Sequence, residues 1–141
     1  MPKQIIEKIV LYGPNNDGNP RRYTVADGTQ ISKGVLLELS DPQTAAAMSG
    51  GVTAAATKWC AGIAAMEKEA SDGSTTISAW TQGEFDAIAS GAIPVGNAVV
   101  AVVDGYIKAA DVAHAASGAV IIGYALETAS DAERISFRLN L

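Results

Sequence analysis

The residue types that most often do chemistry are scarce in this 141-residue sequence, which has one histidine and one cysteine. His114 lies among alanines and lacks the second histidine that most metal sites need, which favours a structural or exposed position. Cys60 lies in the apolar run 59–63, where we expect a buried, inert thiol. A lone cysteine also excludes an intramolecular disulfide and a CxxC redox pair. Neither residue predicts a catalytic or metal site.

The carboxylates fall mainly where the chain must turn. An aspartate before glycine or proline has an ordinary turn explanation. The sequence has no glycine-rich phosphate loop and no GxSxG elbow, and catalysis needs polar groups that converge in a pocket. We therefore predict that the protein is not an enzyme and needs no metal or cofactor. The turn aspartates are Asp27, Asp41, Asp72, Asp104 and Asp131.

The charge balance is acidic, with 10 Lys and Arg against 15 Asp and Glu and a net charge of −5. This balance argues against nucleic acid or an anionic membrane as the main partner. The adjacent pair Arg21-Arg22 is interpreted as solvated, because nucleic-acid binders cluster their basic residues on one face. The most apolar stretch, Ala98–Val103, is too short to span a bilayer. The N-terminal residues lack a signal-peptide core, so we expect synthesis in a cytoplasm without general secretory export.

The elements that would position these residues are strands. Hydrophobic residues make up 48% of the chain and aromatics only 6%, so we expect a core of small and β-branched side chains. Residues 4–12 are rich in Ile and Val without helical caps and predict an extended strand. The turn-rich segment 13–20 separates this strand from the rest. The chain is therefore divided into an N-terminal arm and linker, 1–20, and a β-rich domain, 21–141. An isolated strand must pair with a distant strand or with another chain.

Within the domain, short strands alternate with turns. Period-two alternation at 75–81 and 133–139 is the clearest strand signal. One helical turn is predicted at 41–48, with Pro42 at its first position. Further strands are predicted at 21–25, 34–39, 58–65, 97–103, 106–108 and 119–126.

Two parts of the domain, approximately 31–86 and 93–141, look like copies of one β-unit. Two such units would close against each other into a small barrel or sandwich, which removes open edges. The predicted fold class is mainly β, a small β-barrel-like domain built from two similar units, with an extended arm. The matched pairs are Leu37 with Val99, Gly62 with Gly123, and Ile77 with Ile135.

Three large aromatic residues, Trp59, Trp80 and Phe85, fall near predicted strand ends. Core packing would explain one of them. Interface anchoring explains the others equally well, because large aromatics dominate association energies. All three are therefore candidate interface residues.

Several runs of the sequence resemble the head-decoration, or capsid cement, proteins of tailed bacteriophages, including the lambda type. The resemblance covers about residues 23–141, and its motifs are structural rather than catalytic. It implies a compact β-fold of the β-tulip kind and a homotrimer at threefold and quasi-threefold positions outside an expanded capsid, which it stabilises. The regular second half and the long arm depart from the lambda type. The runs that carry the resemblance are 58–64, 71–73, 76–85, 95–97, 123–131 and 135–141.

The implied partners are the major capsid protein and further copies of the chain, on the outside of a virion assembled in the host cytoplasm. The arm is implied to contact the major capsid protein, and β-augmentation through its main chain would suit that role. The candidate arm residues are Ile5, Ile6, Ile9, Val10, Leu11 and Tyr12.

A second hypothesis is a β-barrel module that binds carbohydrate or a cell surface. An exposed Trp80 or Tyr106 beside carboxylates would favour it. A third, a small β-barrel enzyme or inhibitor, would need His114 and an acid to converge in a cleft, which the placement of the turns does not suggest.

Overall fold

The computed structural model describes residues 6–40, 42–47, 59–101, 106–110 and 121–141. These residues form an all-β structure with no helix, as the sequence predicted for the fold class. The strands in chain order are β1 (Glu7–Leu11), β2 (Arg21–Thr24), β3 (Leu36–Ser40), β4 (Thr44–Ala47), β5 (Trp59–Ala64), β6 (Thr76–Trp80), β7 (Gln82–Ile88), β8 (Ala98–Ala101), β9 (Ile107–Ala109), β10 (Gly123–Ala125) and β11 (Arg134–Asn140).

Strands β2 to β6, the first unit, close into a five-stranded barrel in the order β2-β4-β3-β5-β6. The pairs are antiparallel except β2 with β4, which meet in parallel at Thr24 and Thr44. Alternation along β6 turns Ile77 and Ala79 inward. Small and branched side chains fill this interior, which suits a barrel of few strands. The interior residues are Val25, Ile31, Val35, Leu37, Ala45, Ala61, Ala64, Ile77 and Ala79.

Strands β7 to β11, the second unit, form a curled sheet in the order β7-β11-β10-β8-β9, with β1 added at the β7 edge. A parallel bridge between Ala89 and Ile107 brings the two ends of this unit together. The strand order therefore repeats that of the first unit, including the parallel closure. The sequence repeat had placed residues 82–86 at the end of its first copy, whereas β7 pairs with β11 in the second sheet.

The registers of the two units also match. Ile63 of β5 faces Trp80 of β6, and Tyr124 of β10 faces Arg138 of β11. The residue pairs matched in the sequence fall at corresponding ladder positions. Common origin by duplication stays a prediction.

One local prediction is wrong. The segment predicted as a helical turn instead forms β4, which pairs with β3 along its whole length. Gln43 takes a positive φ of 46°, which interrupts any helical run, and its carbonyl accepts the Thr24 N–H at 2.9 Å. The alanines favour a helix in isolation, but barrel closure decides their conformation here. Asp41 and Met48 lie outside the described residues.

The arm is joined to the domain by strand pairing within the chain, which is one of the two alternatives that the sequence left open. Strand β1 pairs antiparallel with β7, a partner far along the same chain. The Ile6 N–H donates to the Gly34 carbonyl at 2.8 Å, and the Ile6 side chain is only 2% exposed. The linker turns back on itself, since the Gly18 N–H donates to the Tyr12 carbonyl at 2.7 Å. Burial of the Ile6 side chain helps to hold β1 against the domain, because removing apolar surface from water is favourable.

A larger core joins the two units. It contains the interior of the second unit, including Phe85 and Phe137, together with Ile6 and residues from the outer face of the first unit. Those outer-face residues are Leu36, Ile63 and Trp80. Gly18 lies directly on the Trp80 ring, because a Cβ at Gly18 would come within 2.6 Å of Trp80 Cδ1. Part of the outer face of the first unit, at Leu36, Ile63 and Trp80, is therefore buried as well as its interior.

Candidate docking surfaces

Strand β1 offers a backbone edge. Its register with β7 runs from Glu7 opposite Asp86 to Leu11 opposite Gly83, with a bulge between Lys8 and Val10. Because β1 is the last strand of its sheet, its opposite edge pairs with no strand among the described residues. An unpaired strand edge is a template for a further strand.

The predicted arm residues divide into inward and outward groups. Ile6 is buried in the shared core, and Leu11 packs against that core. Val10 points outward and is 43% exposed. Tyr12 is half-buried. Ile5 lies outside the described residues, and for Ile9 only the backbone, within β1, is described.

Two of the three candidate interface aromatics lie in the core instead. The Phe85 ring is fully buried between Trp80, at a centroid distance of 5.9 Å, and Phe137, at 6.2 Å. Trp80 is 9% exposed, and the Lys33 ammonium lies 5.6 Å from its ring centroid. Core packing, the alternative raised from the sequence, accounts for the burial of both. For Trp59 only the backbone is described, so its interface role stays a prediction.

A cluster that the sequence analysis missed lies on the outer face of the second unit. The Arg138 guanidinium lies 4.8 Å from the Tyr12 ring centroid, and its Nη1 donates to the Tyr124 hydroxyl at 3.5 Å. Tyr124 is 40% exposed. The alternation along β11 showed that Arg138 faces outward, but nothing in the spacing joined three residues so distant in the sequence.

The first unit holds a buried cation that the sequence also did not reveal. The Lys68 side chain is 1% exposed, and its Nζ donates to the carbonyls of Asp27 at 2.8 Å and Glu69 at 2.9 Å. A third bond joins Nζ to Asp72 Oδ1 at 3.0 Å. Hydrogen bonds from the Ser74 N–H and from Lys68 lower the pKa of Asp72. All three ammonium protons are used, so this group is a structural anchor for the turn that follows it.

The remaining chemical candidates give no site. Cys60 is half-buried against the shared core, and burial raises the pKa of its thiol to about 12, which keeps the thiol protonated near neutral pH. His114 lies outside the described residues. In the described ranges no group of three or more His, Cys, Asp or Glu is placed to hold a metal ion. Within those ranges, no helix has the length and apolar character to cross a bilayer.

Comparison with known proteins gives one structural likeness and no sequence match. No family model matches the chain, and neither does any curated protein. The crystal structure of the head fiber gp8.5 N base in bacteriophage phi29 is similar in fold, with a TM-score of 0.51 and 15% identity. The match covers 86% of this chain and 92% of that one. At this identity the likeness shows the fold, a two-unit all-β architecture.

Proposed function

We propose that this chain is a structural protein of a bacteriophage virion. It binds the outside of an expanded capsid as a homotrimer at threefold and quasi-threefold positions, contacts the major capsid protein, and stabilises the shell. The observation that carries the proposal is the fold, shared over most of its length with a phage head fiber base. The sequence resemblance to head-decoration proteins supports the same assignment.

The free edge of β1 supports a specific mode of binding. A strand of the shell added there would gain main-chain hydrogen bonds, each with a net contribution of about 0.5–1.5 kcal/mol. Ile6 and Leu11 face the core and hold β1 in the sheet, so the shell would meet the backbone edge and Val10. Three copies bound at once would multiply a modest affinity by avidity.

Catalysis forms no part of this proposal, because the titratable groups described above act in turns and in one buried anchor. The alternative, a carbohydrate- or cell-surface-binding module, loses one of the observations that would favour it, since Trp80 is buried. Flat exposed aromatics are what such a module would need.

The direct test is binding of the purified chain to expanded capsid shells that lack it. We expect saturable binding to the shells. Val10→Lys should weaken it by more than tenfold without loss of stability, because the cross-strand neighbour of Val10 is Glu84, a favourable partner for lysine. Leu39→Lys is the matched control, an exposed residue on the first unit.

Each outcome separates a different part of the proposal. No binding to expanded shells by the wild-type chain contradicts the capsid function. Binding that Val10→Lys leaves unchanged contradicts the role of the β1 edge and leaves the function standing.

A further inference from the structure

The outer face of the second unit differs from its counterpart on the first. At the matching ladder positions the first unit has Ile63 and Trp80, which are buried in the shared core. The second unit has Tyr124 and Arg138 there. Tyr124 is exposed and Arg138 half-buried. The outer-face positions of β5 and β6 are thus buried within the chain, whereas the equivalent positions of β10 and β11 are accessible to solvent.

The open face has the composition of an association surface. Val10, Glu84, Arg138 and Tyr124 are successive neighbours across four strands. Exposed Leu126 follows directly after β10 in the chain. Tyrosine and arginine are the residues most enriched where association energy concentrates. We call this surface, formed by these residues and Tyr12, the Arg138 face.

Within the described residues Arg138 forms no ion pair, although Glu84 is its cross-strand neighbour on β7. Its contacts are the Tyr12 ring and the Tyr124 hydroxyl, and it forms no ion pair with any carboxylate in the described ranges. The nearby Arg134 does, pairing with Glu7 at 3.5 Å. A guanidinium held between two tyrosines is pre-organised to receive a carboxylate.

The chain also presents an apolar and acidic surface. In the first unit the segment 66–69, which leads into the turn at 70–71, exposes Met66, Glu67 and Glu69. Lys68 within that segment is buried, and Asp72 and Asp27 lie beside its charge. The exposed side of the turn is therefore apolar and acidic, and Glu69 forms no ion pair in the described part of the chain. We call it the acidic turn.

We propose that the Arg138 face binds the acidic turn of a second copy of this chain. The contact is heterologous, because its two surfaces differ and lie on different units, and such contacts generate rings when the rotation closes. An ion pair between the Arg138 guanidinium and the exposed Glu69 carboxylate favours this occupant. The equivalent positions of the first unit, Ile63 and Trp80, are already buried within the chain itself. The proposal rests on the self-association included in the proposed function, for which it names the surfaces.

Charge reversal tests it with the full chain alone. The mass of the wild-type protein, Arg138→Glu, Glu69→Arg and the double variant that carries both substitutions would be measured by sedimentation velocity across micromolar concentrations. We expect the wild type to exceed the 14.4 kDa monomer. Each single variant should dissociate at least tenfold more readily, because like charges then meet. The double variant should recover association, since its two reversed charges complement each other at every contact of a ring, including a ring of three. Arg21→Glu, on the exposed β2, is the control.

A monomeric wild type at all concentrations overturns the proposal. So does association that Arg138→Glu leaves unchanged, or a double variant that does not recover. Recovery in the double variant also demonstrates that neither substitution prevents folding. Because no capsid is used, these results are independent of whether the chain binds shells.

Discussion

The first and second units share a strand order, a parallel closure and a register, yet they bury different faces. The first unit has a small aliphatic interior and a second buried surface outside, where Ile63 and Trp80 meet the shared core. The second unit has an aromatic interior with Phe85 and Phe137 and keeps its equivalent outer face in solvent. Backbone geometry fixes the strand pairing in both units. The outward-facing positions are not fixed in this way, so they are buried in the first unit and exposed to solvent in the second.

Turn anchoring differs as well. In the first unit Ile31 bridges to Lys68, which ties the following turn through its ammonium. The matching bridge of the second unit joins Ile93 to Ala129. There the turn is held by hydrogen bonds without a buried cation, such as the one that the Gly91 N–H donates to Asp131 Oδ1 at 2.7 Å. A buried cation is therefore one solution to this turn and not a requirement of the fold.

The largest expected effect concerns a feature that both units share. Gly62 and Gly123 occupy matching positions, and a Cβ at either would overlap a backbone carbonyl oxygen, of Trp80 and of Arg138 respectively. Backbone cannot move aside as a side chain can. We expect Gly123→Ala and Gly62→Ala each to lower the free energy of unfolding by about 3 kcal/mol or more.

Urea denaturation would measure both variants against Gly28→Ala, whose added methyl group meets nothing within 4 Å. Large losses in both variants would show that both units need the close approach, with backbone strain at Gly62, whose φ is 134°, adding to its loss. A wild-type midpoint for Gly123→Ala would contradict the close packing of β10 on β11.

A smaller effect tests where the units differ. Lys68→Met keeps the apolar stem but leaves the Asp27 and Glu69 carbonyls without their donor and Asp72 without its ion pair. We expect a loss of about 2 kcal/mol in the free energy of unfolding, below the value for a fully buried pair because both aspartates are partly exposed.

Lys108→Met, an exposed lysine on β9 of the second unit, is the matched control and should be neutral. Thermal or urea unfolding would decide. If Lys68→Met leaves the free energy of unfolding unchanged, the first unit does not need a buried cation at this position, just as the second unit does not.

The smallest effect is a pH dependence confined to the first unit. The pKa of Asp72 is lowered in the folded protein by the Ser74 N–H and by Lys68. The stability it contributes is therefore present above the pKa of an unfolded aspartate, about 3.9, and is lost as pH falls through the lower folded value. Urea midpoints of the wild type should fall on acidification more than those of Asp72→Asn. In a Lys68→Met background this difference should shrink; a difference of full size there would contradict the role of the ammonium.

Much of the fold could be predicted from the sequence because period-two alternation marks half-buried strands, as at β6 and β11. Strand β4 could not be predicted, because its alanines show no alternation of polar and apolar residues. Nothing in the sequence indicates that Gln43, which precedes β4, has a positive φ. The pairing of β1 with β7 could not be predicted either, because registers between distant strands depend on the whole sheet. The turn-rich linker left open whether β1 pairs within the chain or with another chain, and it gave no sign that Gly18 packs on Trp80.

The candidate surfaces were less accessible to sequence reasoning. The arm was found by its Ile and Val content, but which of its side chains face inward depends on the bulge between Lys8 and Val10. Trp80 and Phe85 were ambiguous, because a large aromatic suits a core and an interface alike. Lys68 resembles any exposed lysine in the sequence, and only the carbonyls around it show otherwise.

The position of β1 has a consequence for how the protein is made. Strand β1 leaves the ribosome before β2 to β11, but its hydrogen-bond partner β7 follows the whole of the first unit. The barrel of β2 to β6 needs only residues up to Trp80 and can close while the rest is being synthesised. The nascent β1 must wait for β7 to emerge before its ladder can form. During that interval its backbone edge and the apolar side chains of Ile6 and Leu11 are open to chaperones and to chance pairing with neighbouring chains.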